Sequence, residues 1–215
     1  AGYDYVFVDW IHDVLDVFDS LGWQQAHLLG HSMGGAIATI VAASAPERIN
    51  KLLLIEALGP IAGIAEEAGQ RLRQAVSARR YLANDKAARI IPDLETAVKA
   101  RLAASNMSSD AARLIVQRNL QAVSGGYVWR SDPRMMLPTH VRTDESFIRS
   151  WIRAIEAQTL VIAADPAPIY FTPEQRAARL AELKNGQLAV IAGGHHLHME
   201  KADEVAKIIL DFLTE

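Results

Sequence analysis

The sequence contains no cysteine among its 215 residues. Disulfide bonds and thiolate metal sites are therefore excluded, and the absence fits the cytoplasmic location that we expect. Long hydrophobic runs are also lacking, and none approaches the ~18 apolar residues that a membrane-spanning helix needs. The first residues, AGYDYVFVDWIHD, have no basic region followed by an apolar stretch, so they do not form a signal peptide.

Neither sign of charge dominates, since 22 Lys and Arg residues and 25 Asp and Glu residues give a formal net charge of −3. The most basic segment, RLRQAVSARR at 71–80, is typical of a solvated helix face. We therefore expect no nucleic-acid partner. Half of the residues are hydrophobic and 22% are charged, which predicts one packed domain with a large insertion.

Strand and helix patterns alternate at both ends of the chain. Strands are predicted at 26–30, 51–56, 158–165 and 187–194. Helices are predicted at 4–21, 33–44, 62–82, 93–105, 109–122, 144–156, 173–183 and 202–213, with a loop at 124–134. Strands joined by helices indicate an α/β fold with a mostly parallel sheet. We divide the chain into a core at 1–59 and 149–215 and a helical insertion at 60–148.

Residues 30–34, Gly-His-Ser-Met-Gly, match the pattern G-x-S-x-G between an apolar strand and a helix of small residues. In this context the serine occupies a strained turn that exposes its hydroxyl, and both glycines are expected to let chain segments approach closely. The N–H groups that begin the following helix favour a developing negative charge. The pattern predicts Ser32 as a nucleophile and the Met33 N–H as an oxyanion donor.

A serine nucleophile needs a base, because its hydroxyl is almost wholly protonated at neutral pH. His195 comes directly after a predicted strand, in AGGHHLHME, and is the predicted base, with His196 and His198 as competitors. His31 is expected near the site as a substrate contact. We predict no metal site and no cofactor, because the histidine spacing is not the i, i+4 pair of a helical zinc site and no partnering carboxylate motif accompanies it.

The base in turn needs an acid, and two carboxylates follow predicted strands. Glu56 lies in LLLIEALGP and Asp165 in LVIAADPAPI. A charged residue at the end of an apolar strand is costly unless it is paired, so both are candidates. Ligands of parallel sheets bind beyond the carboxyl ends of the strands, where these residues are expected to converge.

The sequence resembles the α/β-hydrolase superfamily. LLGHSMGGAIA resembles its nucleophile elbow, and GGHHLHME followed by ADEVAKIILDFL resembles its histidine loop and last helix. With LIEALGP and GGYVWRSDPRM, the chain is similar to the serine hydrolase-like branch, related in layout to haloalkane dehalogenases and epoxide hydrolases. The resemblance implies an α/β-hydrolase fold with a helical cap at 60–148, Ser32 as nucleophile and His195 as base.

The resemblance also ranks the two acids. Many members carry the acid at the position of Ala167, two residues beyond Asp165, whereas one dehalogenase subgroup carries it after the strand that follows the elbow, which matches Glu56. We favour Glu56 and keep Asp165 as the alternative. The family's first strands and its second oxyanion donor have no counterpart here, so we expect a preceding segment to supply them. That segment or a second copy of the chain, in a homodimer, is the expected protein partner.

The resulting functional prediction is a serine hydrolase, similar to the carboxylesterases of class EC 3.1. It would cleave a small carboxylic ester or related acyl substrate through an acyl-enzyme. Trp129 and Met135, near the end of the cap, are expected to line the substrate pocket. The alternative is a catalytically weak or inactive binding protein on the same scaffold, because Ala167 occupies the usual acid position.

Overall fold

The computed structural model describes residues 5–84 and 90–215 and confirms the α/β class. The strands are β1 Ala26–His31, β2 Ile49–Ile55, β3 Leu120–Val123, β4 Gly126–Trp129, β5 Gln158–Asp165 and β6 Gly186–Ala192. The helices are α1 Trp10–Ser20, α2 Met33–Ser44, α3 Ala68–Asn84, α4 Leu94–Ala104, α5 Ser109–Asn119, α6 Glu145–Arg153, α7 Pro173–Leu180, α8 Leu197–Glu200 and α9 Ala202–Thr214.

The described residues form two compact units. The first contains Val6–Ala65 and Arg142–Glu215, and it includes the sheet of β1, β2, β5 and β6. The second contains Tyr5 and the described part of Glu66–Val141. It overlaps the helical cap predicted at 60–148, whose role as a cap stays a prediction, as do the boundaries at 59 and 149.

The sheet of the first unit has the order β1-β2-β5-β6, and every neighbouring pair is parallel. The two central strands are almost continuously apolar because both of their faces are covered. Leu52 and Leu54 of β2 pack on the side of α1, α2 and α6. Leu53 and Ile55 point to the other side, toward α9. This alternation makes two hydrophobic cores from one strand.

The first two helices, α1 and α2, share a hydrophobic core against which β1 packs. Helix α2 is buried from Gly35 to Ala42, as its small residues predict. Helix α1 begins at Trp10, after a 3-10 turn at Phe7–Asp9, which is later than the start predicted at residue 4. Residue 4 lies outside the described residues. The α1 face with Phe18 packs into the core that α2 shares.

The second unit has its own core, in which α4 and α5 pack together through Val98, Ala112 and Val116. Side-chain caps begin both helices: Asp93 accepts from the Thr96 N–H at 2.7 Å, and Ser108 accepts from the Ala111 N–H at 3.2 Å.

A hairpin of β3 and β4 follows α5, so the sequence-based loop at 124–134 and the helix end at 122 are wrong. Ser124 and Gly125 form its two-residue turn, with Gly125 at φ 87°. This turn dipeptide between two short apolar runs was the available signal. The strands are only four residues long and the first continues a helical pattern, which hid them.

The parallel strands of the first unit bring their carboxyl ends to one edge of the sheet. Ser32 follows β1, Glu56 follows β2, Asp165 ends β5, and His195 follows β6. The expected convergence of these positions on one edge is therefore the arrangement observed. Across the described ranges, every helix is too short or too polar to cross a membrane.

Candidate active site

Ser32 occupies a sharp turn between β1 and α2. Its backbone has φ 54° and ψ −119°, a conformation that L-residues rarely adopt, and its N–H donates to the Ile55 carbonyl of β2 at 2.9 Å. Such strain, of order 1–3 kcal/mol, persists only where the surrounding structure enforces it. The turn matches the strand-to-helix elbow expected for G-x-S-x-G.

The glycines of this turn have unequal roles. A Cβ on Gly30 would lie 2.3 Å from the Gly34 carbonyl oxygen, and one on Gly35 would lie 2.9 Å from the Ala57 Cβ. A Cβ on Gly34 would meet nothing within 4 Å. The expectation that both motif glycines permit close approach is thus correct for Gly30 and wrong for Gly34, because Gly35 makes the second approach.

Helix α2 begins at Met33, directly after the serine. The first N–H groups of a helix have no intrahelical acceptor, and they carry the positive end of the helix dipole. The Ser32 side chain makes no capping hydrogen bond to them. The Met33 N–H therefore belongs to a set of donors that suits an anion beside Ser32.

Glu56 is buried, with 2% of its surface exposed, and it has φ 55°. Its N–H donates to the Ile162 carbonyl at 2.8 Å, and its Oε1 accepts from the Ala164 N–H at 2.6 Å. The pairing of β2 with β5 stops at Ile55 and Ile162. Beyond that point the backbone of β2 has turned away from β5. The carboxylate of Glu56 therefore accepts the hydrogen bond from the next N–H of β5, that of Ala164.

His195 connects the serine to the acid. Its Nε2 lies 2.9 Å from the Ser32 Oγ, and its Nδ1 lies 3.3 Å from the Glu56 Oε2. The Nδ1–H donates to the carboxylate, which leaves the Nε2 lone pair to accept the serine proton. The structure thus brings Ser32, His195 and Glu56 into one hydrogen-bonded series, although they are far apart in the sequence.

Asp165, the alternative acid, has a different environment. It is exposed, and no described residue makes a hydrogen bond or ion pair with its carboxylate. Its backbone carbonyl accepts from the Gly193 N–H at 2.9 Å, which ties β5 to the loop that carries His195. The contact with His195 that an acid requires is made by Glu56.

Tyr170 is a site residue that sequence reasoning missed. Its hydroxyl lies 2.8 Å from the His195 Nδ1, closer than the carboxylate of Glu56. Burial, followed by the nearby charge of Glu56, raises the pKa of Tyr170, so the phenol keeps its proton at neutral pH. Because the Nδ1–H is directed to Glu56, the phenol oxygen accepts a share of the same proton. No local motif marks a tyrosine in the loop after β5.

Three further histidines lie close to His195: one at the end of β1 and two in the segment that follows His195. The His31 Nε2–H donates to the His195 carbonyl at 2.8 Å, and its ring centre lies 4.0 Å from that of His198. Burial, and next the proximity of His198, lowers the pKa of His31 to about 4. Burial also lowers the pKa of His198. A ring nitrogen from each of His31, His196 and His198 lies within 4.8 Å of the others, which is a grouping able to hold a metal ion.

Buried polar contacts fix the segment that follows Glu56. The Thr39 hydroxyl donates to the Gly35 carbonyl at 2.8 Å and accepts from the Gly59 N–H at 2.9 Å.

The Arg179 Nη1 donates to the Leu58 carbonyl at 2.8 Å. The same guanidinium forms two hydrogen bonds of 2.9 and 2.7 Å with Glu145. Bidentate pairing of this kind gives geometric specificity.

The other predicted substrate contacts have separate locations. Trp129 ends β4 and Met135 lies in the 3-10 turn Pro133–Met136, both in the second unit, and each has about two fifths of its surface exposed. His31 belongs to the first unit, where its ring contacts the histidine loop. Substrate binding by these three residues stays a prediction.

Comparisons with known proteins identify the relatives of this chain. The sequence profile of the alpha/beta hydrolase family matches residues 1–208. A serine hydrolase-like protein of Dictyostelium discoideum is 27% identical over 97% of this chain and 61% of its own length. A 2-hydroxymuconate semialdehyde hydrolase of Pseudomonas putida is 29% identical over 96% of this chain and 68% of its length. The chain thus spans about two thirds of these relatives.

Among solved structures, a hypothetical protein of Pseudomonas aeruginosa superposes with a TM-score of 0.89 and 36% identity. The superposition covers 100% of this chain and 76% of that protein. The similarity in sequence and that in structure point to the same scaffold, and they confirm the α/β-hydrolase fold that the sequence motifs predicted.

Proposed function

The chain belongs to the alpha/beta hydrolase family, and on that premise we propose that it is a serine hydrolase acting on a carboxylic ester or a related acyl compound. The observation that carries the proposal is the 2.9 Å contact between the Ser32 Oγ and the His195 Nε2, with Glu56 at the opposite nitrogen of the imidazole. Nucleophile, base and orienting acid then stand in the order that acyl transfer requires.

In the first half-reaction, His195 removes the Ser32 proton as the oxygen attacks the acyl carbon. The imidazolium is stabilised by the carboxylate of Glu56, which also holds the tautomer with the proton on Nδ1. Charge develops on the acyl oxygen beside the N-terminus of α2. The Met33 N–H is the donor that we assign to it, and removing one such donor typically slows a reaction by about 100- to 1,000-fold.

The acyl-enzyme then forms as the alcohol leaves with the proton from His195. In the second half-reaction, His195 takes a proton from water as the water oxygen attacks the ester of Ser32. His195 then returns this proton to the Ser32 oxygen as the acid is released. A serine oxygen suits acyl transfer because its ester is readily hydrolysed. An ether formed by displacing a halide or opening an epoxide would resist hydrolysis, which argues against dehalogenase and epoxide hydrolase reactions.

The direct test is covalent labelling of the purified protein with a fluorophosphonate, together with turnover of a short-chain p-nitrophenyl ester. We expect labelling at Ser32 and hydrolysis of the ester, and Ser32→Ala should abolish both while the protein stays folded. Triad serines contribute on the order of 10⁶-fold to kcat, so any residual rate should lie near background. Ser20→Ala, at the exposed end of α1, is the matched control.

A well-folded protein that is neither labelled nor active would contradict the proposal and favour the alternative, a binding protein on a hydrolase scaffold. That alternative rested on Ala167 at the usual acid position. The contact of Glu56 with the His195 Nδ1 weakens that argument, because it supplies an acid from a different strand.

A second candidate reaction is hydrolysis of a carbon–carbon bond. The Pseudomonas putida relative is named for 2-hydroxymuconate semialdehyde, a compound without an ester, and it aligns with nearly all of this chain. The same serine and histidine would serve. Comparing kcat/KM for this semialdehyde and for short esters decides between the two reactions.

The remaining parts of the proposal concern the surroundings of the site. Trp129 and Met135 are proposed to contact the substrate, and the second unit to act as a cap. Assembly as a homodimer and a cytoplasmic location complete it. Comparing kcat/KM across acyl chain lengths in Trp129→Ala and Met135→Ala tests the two substrate contacts.

A further inference from the structure

Three histidines, His31, His196 and His198, lie close to His195, and none of them transfers a proton or forms a bond in the proposed acyl transfer. His31 ends β1, and His196 and His198 follow His195 around the start of α8. Their ring centres lie 4.0 to 6.0 Å apart, and one ring nitrogen of each lies within 4.8 Å of the others. Packing three imidazoles so closely is unfavourable for the protonated forms, since like charges repel and burial removes their hydration.

Sequence spacing alone argued against a metal here. His196 and His198 are two residues apart, which does not match the helical i, i+4 pair of zinc sites. The structure adds a third histidine from the end of β1, more than 160 residues earlier in the chain. Metal ligands drawn from two separate elements leave no recognisable spacing in the sequence.

The hydrogen bonds of the cluster suit metal ligation. The His31 Nε2–H donates to the His195 carbonyl at 2.8 Å, so the Nδ1 of this ring carries a lone pair. Metal-binding histidines commonly donate their other N–H to a backbone carbonyl in this way. The His198 Nδ1 is buried, and no described residue bonds to it. An unsatisfied buried nitrogen of this kind costs about 1–3 kcal/mol.

We propose that His31, His196 and His198 form a three-histidine site for a divalent transition metal ion of the Zn²⁺ type. Imidazole nitrogens suit zinc, copper and nickel, whereas magnesium and calcium require oxygen ligands that are lacking among the three side chains. Three histidines leave a fourth position for water, as in open zinc sites. Tetrahedral Zn–N bonds of about 2.0–2.1 Å place ligand nitrogens about 3.4 Å apart, so small ring rotations close the observed spacing.

A bound ion would connect the end of β1 to the loop after β6. His31 already donates a hydrogen bond to the backbone carbonyl of His195, and His196 directly follows His195 in the sequence. The ion therefore adds a cross-link directly behind the residue that contacts Ser32. Its expected effect is to stabilise this loop, which does not depend on the reaction that the protein performs.

The test is Zn²⁺ binding to chelator-treated protein prepared without a histidine tag. The chain has no cysteine, so thiolates cannot contribute to the signal. We expect one Zn²⁺ per chain by calorimetry, a higher melting temperature with Zn²⁺, and slower amide exchange in residues 195–200. Co²⁺ in its place should give the visible absorption of a tetrahedral site.

Substitutions locate the ion. His198→Ala and His31→Asn should each weaken Zn²⁺ binding by at least about 10-fold, a loss that even outer partners of metal ligands produce. His12→Ala, at an exposed position of α1, should bind normally. Circular dichroism and metal-free melting identify any variant that fails to fold, and His196→Asn then replaces it.

His195→Ala separates this site from the proposed catalytic residues. It keeps the backbone carbonyl that His31 contacts, so binding should persist if the ion occupies the cluster. Loss of binding in His195→Ala, unchanged binding in the cluster variants, or no binding by the folded protein would each overturn the proposal. Failure of esterase activity would leave these measurements unaffected.

Discussion

The carboxyl ends of β2 and β5 are neighbours in the sheet and both carry an acidic residue, but the two carboxylates have opposite environments. Glu56 is 2% exposed, and its oxygens contact the Ala164 N–H and the His195 Nδ1. Asp165 is exposed, and within the described residues its carboxylate has no partner. A place after an apolar strand therefore does not by itself bring a carboxylate to His195; the direction in which the chain leaves the strand decides that.

The chain bends in the same way where it leaves β1 and where it leaves β2. Ser32 and Glu56 have φ values of 54° and 55°, and they are the non-glycine residues with positive φ among those described. Each donates its N–H to the carbonyl of the next strand, Ser32 to Ile55 and Glu56 to Ile162. One sharp bend, repeated on adjacent strands, turns both side chains toward the loop of His195. β5 lacks this bend.

The comparison predicts its largest effect for Glu56→Gln. The carbonyl oxygen of the new side-chain amide would still accept from Ala164, but its NH₂ group would face the His195 Nδ1 and favour the tautomer with a proton on Nε2. That nitrogen could then no longer accept the serine proton. We expect kcat to fall by roughly 1,000- to 10,000-fold, the scale known for the equivalent change in serine proteases.

Asp165→Asn is the matched variant and should stay within about twofold of the parent in kcat/KM, because a lost exposed charge is only weakly coupled to the site. Steady-state ester hydrolysis measures both variants. A larger loss for Asp165→Asn than for Glu56→Gln would reverse the assignment of the acid.

The bend at the end of β1 gives the next prediction. Gly30→Ala would press a Cβ to within 2.3 Å of the Gly34 carbonyl oxygen, so the elbow must shift. We expect the free energy of unfolding to fall by about 1–3 kcal/mol, the scale of overpacking in a rigid site. Gly34→Ala meets open space and should be neutral or stabilising by up to about 1 kcal/mol, since alanine favours a helix.

Urea denaturation of both variants measures this difference. Equal losses of stability would show that the motif glycines act alike, as the sequence pattern alone suggests. A loss confined to Gly30→Ala would instead support close approach of the chain at Gly30 and not at Gly34.

The contrast also explains what the sequence could predict. The elbow at Ser32 was recognisable because its constraints are local: glycines, a strand before and a helix of small residues after. The alternation of strands and helices predicted the parallel sheet for the same reason. Glu56 was favoured over Asp165 only through resemblance to a family, because periodicity gives the end of a strand but not the φ of the next residue.

Contacts between distant segments could not be predicted from the sequence. Tyr170 and His195 are 25 residues apart in two different loops, and His31 meets His198 across most of the chain. Side chains of these types occur in any loop, and only the register of four strands brings them together. The short β3–β4 hairpin was missed for the opposite reason: its signal is local, but four-residue strands are too brief to outweigh a helical pattern.

The smallest predicted effect concerns Tyr170, which lies in the loop after β5 and contacts His195. Its hydroxyl lies 2.8 Å from the Nδ1 that Glu56 also contacts. Tyr170→Phe removes one hydrogen bond and keeps the ring, so kcat should fall about 2- to 10-fold, as expected for 0.5–1.5 kcal/mol. Tyr81→Phe, with 76% of Tyr81 exposed, should leave kcat unchanged.

A double-mutant cycle distinguishes a role through His195 from a role in packing. If Tyr170 acts by sharing the Nδ1 proton with Glu56, its hydroxyl supports the productive tautomer only while that proton is present. In the Glu56→Gln background the tautomer changes and the phenol O–H can donate to the bare Nδ1, so Tyr170→Phe should then cause no further loss of kcat. Additive losses would assign Tyr170 to packing, and leave Glu56 as the single partner that orients the imidazole.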